Sequence, residues 1–100
     1  MPVAIQQDWI EEETERSTRS YDAISACLMD GPPIEGMLIH AAGFTGSGFR
    51  IYEVWESQAH FACILADRLM PITLEVSGGD PGAPPTMTVY ELHGLVVQGG

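Results

Sequence analysis

Residues 49–56, FRIYEVWE, are rich in β-branched and aromatic side chains and run without a linker into Ser57 and QAHFACILADRLM. The first stretch reads as a strand. In the second, Phe61, Ile64, Leu65 and Leu69 recur at helical spacing, Ser57 is a good N-cap, and Pro71 is expected to end the helix at Met70. A strand that passes straight into a capped helix must send that helix back across one face of its own sheet. Few architectures allow this.

The other elements narrow them further. Val3, Ile5, Gln7 and Trp9 alternate over residues 2–9, as in a strand. Ser17 precedes TRSYDAISACLMD, in which Tyr21, Ile24 and Leu28 mark a helix face that stops at Gly31-Pro32-Pro33. GMLIHAAGF (36–44), the turn TGSG (45–48) and FRIYEVWE form a hairpin. SGGDPGAPPT (77–86) is a loop, and MTVYELHGLVV reads as a last strand and tail. The order is β-α-β-β-α-β. This predicts an α+β, ferredoxin-like fold, a four-stranded antiparallel sheet with both helices on one face, as a single domain over residues 1–100. A chain of this length buries about 65% of its unfolded surface, enough for a core without staples. The bare sheet face then needs cover, and a second copy related by a two-fold axis is the expected solution.

Fourteen acids against four arginines and no lysine give a net charge of −10. Such a field repels phosphate backbones and anionic lipid, so neither nucleic acid nor a membrane is expected as partner. Much of the excess lies in DWIEEETE (8–15), read as a solvated loop. No apolar run reaches the length of a membrane helix, and the N-terminus has no signal-peptide pattern, so a cytoplasmic location is expected. Cys27 and Cys63 lack any paired spacing and are expected as reduced thiols in the core.

Alternation assigns the faces. Phe49, Ile51, Glu53 and Trp55 share one side of the third strand, with Arg50, Tyr52, Val54 and Glu56 on the other. Leu38, His40 and Ala42 divide likewise from Met37, Ile39 and Ala41. If Ala42 pairs with Phe49, His40 stands opposite Ile51; a shift of two residues sets it opposite Glu53. In either register His40, Glu53 and Trp55 gather on one face. A carboxylate in an apolar central strand is costly unless a partner meets it, and His40 is the nearest candidate.

GMLIHAAG with its glycine-rich turn, followed by FRIYEVWESQAHF and RLMP, resembles the small antibiotic biosynthesis monooxygenase-like proteins of the dimeric α/β-barrel superfamily. The resemblance covers roughly residues 20–92. It implies a homodimer whose two sheets form a shared barrel, with a small pocket between sheet and helices in each protomer. It also implies one of several activities, among them cofactor-free oxygenation of aromatic polyketides, polyketide cyclisation, lactone isomerisation and haem degradation. Haem-degrading relatives carry a His about three turns along the helix after the strand, where this chain has Ile64, Leu65 and Ala66, so haem is not expected. GFTGSG (43–48) joins antiparallel strands with no following helix to receive a phosphate, so no flavin or nicotinamide is expected.

Two functions stand open. In the first, the chain is a cofactor-independent cyclase, isomerase or monooxygenase. His40 is its acid or base and Glu53 orients it. A small hydrophobic or aromatic substrate meets Trp55, Ile51, Leu38, Phe61, Ile64 and Leu65. Arg68, in the last turn of the second helix, suits either an anionic group of that substrate or the helix dipole and a surface acid. Trp9 and Tyr90 lie on the outer parts of the sheet, at the pocket or at the dimer seam. Imidazole titrates close to neutral pH and suits removal of a proton from an activated phenol or a carbon beside a carbonyl. In the second, the protein is a non-catalytic dimer that binds a ligand or assists another enzyme. His60 and His93 are expected on the surface.

Overall fold

A computed structural model of the chain describes residues 2–10, 19–79 and 84–96. Four strands, β1 (Val3–Ile10), β2 (Met37–Phe44), β3 (Gly48–Trp55) and β4 (Thr86–Glu91), form one antiparallel sheet in the order β2-β3-β1-β4. Helix α1 (Arg19–Met29) joins β1 to β2. After β3 come α2 (Gln58–Ile64), a π-helical turn (Leu65–Leu69) and α3 (Met70–Val76). This is the expected β-α-β-β-α-β ferredoxin-like arrangement. The expected Ser17 cap and most of the acidic run lie outside the described residues.

The core forms where β1 and β3 meet α2. Val3, Ile5, Trp55 and Phe61 make one buried cluster, and Ile34, Met37, Ile64 and Leu65 pack against it. Trp55 and Phe61 meet edge to face with ring centroids 5.6 Å apart, a favourable aromatic geometry. Ser57 caps α2 as expected, its Oγ accepting from the His60 N–H at 3.2 Å. Among the described residues no helix is long and apolar enough to cross a membrane.

Three expectations need correction. Pro71 does not end the helix, because the chain widens into the π turn before it. The Met70 N–H bonds five residues back to Leu65 O, and the wider turn relieves the clash between a proline ring and the carbonyl four residues earlier. Pro71 then sits in the first turn of α3, where no N–H is needed. Cys27 and Cys63 are free but exposed rather than buried. Each stands one step off the inward stripe of its helix, beside exposed Ala26 and Ala62. Finally, a bulge between Met37 and Ile39 breaks the alternation of β2. Met37 turns inward onto the core beside Trp55, while Leu38, expected inside, is 43% exposed.

Candidate functional site

The β2–β3 register is the second of the two the sequence allows. Phe44 pairs with Phe49, Ala42 with Ile51 and His40 with Glu53. The turn decides it: Thr45 N–H donates to Gly48 O at 2.7 Å, and Gly48 N–H donates to the Thr45 hydroxyl at 3.0 Å. Closing the hairpin at these two residues leaves His40 and Glu53 directly opposed on the helix-covered face.

Their side chains bond. His40 Nδ1 lies 2.6 Å from Glu53 Oε2, and Trp55 Nε1–H donates to Glu53 Oε1 at 3.1 Å. On the other side of the ring, the Tyr21 hydroxyl lies 2.5 Å from His40 Nε2. Tyr21 comes from the first turns of α1 and stacks on the imidazole, with ring centroids 5.9 Å apart and planes at 15°. Four side chains from three elements thus form one line, Tyr21, His40, Glu53 and Trp55. It runs from half-exposed at His40 (32%) to nearly buried at Trp55 (2%).

The outer groups constrain its polarity. An indole N–H only donates, and an ionised carboxylate only accepts. Glu53 as carboxylate accepts from Trp55 and from His40 Nδ1–H, and when the ring is neutral its Nε2 is the acceptor for the Tyr21 O–H. The Tyr21 phenol is held above its ordinary 10.0, chiefly by burial, then by the negative charges of Glu53 and Asp22. It keeps its proton and can give the bond that Nε2 requires.

Neither a protein-family model nor a curated protein matches this sequence. Solved structures do match. A candidate antibiotic biosynthesis monooxygenase from Chloroflexus aurantiacus superposes with a TM-score of 0.64 at 16% identity, over 97% of this chain and 98% of its own. SnoaB, a cofactor-independent oxygenase from Streptomyces nogalater, gives 0.60 at 10% identity, covering 97% of each chain. This chain has the antibiotic biosynthesis monooxygenase-like fold. A monooxygenase of Streptomyces coelicolor, ActVA-Orf6, solved with the ligand nanaomycin D, matches at 0.56 and 16% identity over 98% of this chain and 92% of its own. At these identities the likeness is one of fold.

Within the monooxygenase-like fold of this chain the expected substrate contacts separate. Ile51 and Trp9 are half-buried on the His40 face, Trp9 opposite Phe49 across the β1–β3 pair. Trp55, Phe61, Ile64 and Leu65 belong to the packed core rather than to an open wall. For Arg68 the sequence leaves open an anionic substrate group or a surface acid. Instead it donates to Leu28 O and Pro32 O, each at 2.8 Å, holding the end of α1 and the connection that follows. Tyr90 pairs with Ala4 on the opposite face of the sheet, its hydroxyl 3.4 Å from that of Tyr52, so it is removed from the His40 side. His60 is half-buried rather than exposed. Its Nδ1 lies 2.7 Å from Ser57 Oγ, and its ring packs on Gly36. His93 is exposed as expected.

Tyr21 escaped the sequence reading because it fits the apolar stripe of α1 with Ile24 and Leu28. The available signal was general: a partly buried tyrosine hydroxyl seeks a partner. A cleft of 380 Å³, bounded by Leu28, Pro32, Ile34 and Met37, lies at the far end of α1 from Tyr21 and does not touch the line.

Proposed function

We propose that this protein is a cofactor-independent enzyme that removes a proton from an acidic phenol or C–H group of an aromatic, polyketide-like substrate. His40 is the base and Glu53 holds its tautomer and balances the imidazolium that forms. The observation that carries this reading is the His40–Glu53 bond, backed by the Trp55 indole, at a half-exposed ring on an aromatic face. A neighbour of the same fold is a cofactor-independent oxygenase, which supports the same class of chemistry.

Anthrone is a suitable probe, because its methylene is acidified by two rings and a conjugated carbonyl. Without oxygen, in deuterated buffer, the protein is expected to speed exchange of the methylene hydrogens. In air the same carbanion takes one O2, loses one water and becomes the anthraquinone. His40→Ala should slow exchange about 100-fold, in line with the usual contribution of a general base. Native-like exchange in that variant would remove His40 from the chemistry. Exchange without oxygen uptake would favour a cyclase or isomerase over an oxygenase.

One observation favours a second, non-catalytic reading: Nε2 of His40 is already occupied by the Tyr21 hydroxyl. If that bond only closes a core, the native protein will not accelerate exchange at all. A homodimer is part of the proposal as well. Val54 is only 1% exposed and Met37 faces the core, so the outer face rests on Ile39, Ala41, Tyr52 and Tyr90. Sedimentation is expected to give twice the 10.8 kDa chain mass; a persistent 10.8 kDa species at high concentration would exclude the dimer.

A further inference from the structure

The geometry points to Tyr21 as the group that meets the substrate, with His40 drawing the proton through it. This rests on the proposed role of His40 as base and deepens it. The Tyr21 hydroxyl stands 2.5 Å from Nε2, the one imidazole nitrogen not used by Glu53. A substrate seeking Nε2 directly would have to displace that hydroxyl. A substrate approaching Tyr21 Oη finds an oxygen whose own hydrogen already points at a base.

The step balances. The substrate C–H breaks and its proton joins Tyr21 Oη, while the Tyr21 O–H breaks and its proton joins His40 Nε2. The electron pair stays on the substrate carbon and spreads into the carbonyl. Tyr21 ends as it began, a neutral phenol, and the positive charge rests on the imidazolium beside the Glu53 carboxylate. A phenol that resists ionisation suits this passage, since Tyr21 never has to hold a full negative charge; burial, Glu53 and Asp22 all press in that direction.

The surroundings of Tyr21 favour an aromatic substrate. Its ring lies 5.5 Å from that of Phe49 at a tilt of 56°, and Phe49 in turn meets Phe44 edge-on at 5.2 Å. Phe44 is 42% exposed, so the row ends in accessible aromatic surface. A flat ring can extend the row, since aromatic pairs prefer tilted or offset contact, and so carry its acidic position toward Tyr21.

The test compares Tyr21→Phe, His40→Gln and the double variant in the anaerobic anthrone exchange assay, with circular dichroism to confirm folding. Phenylalanine keeps the stack and the ring row but removes the hydroxyl. Tyr21→Phe should lower kcat for exchange by roughly 100-fold with KM little changed, and the double variant should be no worse than the poorer single, as groups acting as one unit behave. Full exchange by Tyr21→Phe together with loss in His40→Gln would overturn the role of Tyr21 and leave His40 as a direct base. A rise in KM at unchanged kcat would overturn it too, showing Tyr21 as a binding surface only. No exchange by the native protein would overturn the parent reading and this one with it.

Discussion

Glu53→Gln is expected to slow proton exchange at the anthrone methylene by about 10²–10⁴-fold while the fold is retained. The carboxylate accepts two hydrogens, from Trp55 Nε1–H and from His40 Nδ1–H. A glutamine of the same size has one accepting oxygen and one amide nitrogen that only donates. The indole cannot turn itself into an acceptor. The oxygen therefore stays with Trp55, and the amide hydrogens point at His40. To accept them, His40 must move its hydrogen from Nδ1 to Nε2, and an Nε2 that already carries a hydrogen takes none from Tyr21. A similar carboxylate-to-amide change in a serine protease triad acts through the wrong tautomer. The accompanying stability loss should stay near 1–3 kcal/mol, the usual cost of leaving a buried polar group badly paired. Nitrogen NMR of the His40 ring reads the tautomer directly, beside the exchange rate. A variant with normal exchange and an unmoved tautomer would take Glu53 out of the site.

The pairing of His40 with Glu53 was within reach of the sequence because both lie on strands, and a strand alternates with a period of two whatever packs above it. What the letters left open was a register choice between two values. Two hydrogen bonds in the turn between Thr45 and Gly48 close it, and a run such as TGSG admits more than one closure. The bulge at Leu38 was out of reach for a related reason. An extra residue in one strand leaves no mark in composition, yet it turns Met37 inward and Leu38 outward.

The second helix shows pattern and chain geometry in conflict. Its apolar stripe extends to Leu69 and the proline signal stops it there, but a single π turn lets the chain pass Pro71 and continue to Val76. A stop rule built on the α-helical carbonyl clash weakens once the turn is wider. Tyr21 lies further still from sequence reasoning. Its partner is 19 residues away on another element, and only the docking of α1 on the sheet brings its hydroxyl to Nε2. Local pattern thus supplied the two groups that bond within the hairpin, and tertiary packing supplied the third.

The junction from β3 to α2 holds Trp55, and through it Glu53, by a contact that a single methyl group can test. Gly36 has φ +89°, a conformation L side chains rarely adopt, and a Cβ built there would lie 2.5–2.7 Å from Cδ2, Cγ and Cβ of His60. The Gly36 carbonyl accepts from the Glu56 N–H at 2.7 Å, tying the start of β2 to the residue after Trp55. His60 has little freedom to retreat, because Ser57 holds its Nδ1 at 2.7 Å and the clash reaches the root of the side chain rather than its tip. Gly36→Ala therefore meets two costs, about 1–2 kcal/mol for the left-handed backbone and about 1–3 kcal/mol for overpacking. At about 4–8 °C per kcal/mol for a domain of this size, the melting temperature should fall by at least about 8 °C. The double variant Gly36→Ala with His60→Gly keeps the backbone cost at 36 but removes both the ring and the Cβ that the new methyl group would meet. In a double-mutant cycle it should be more stable than the sum of the singles by at least about 1 kcal/mol, the signature of residues in contact. Additive losses would show that His60 does not press on Gly36. Such a result would leave the glycine with a backbone role only, and the junction would need another anchor for Trp55.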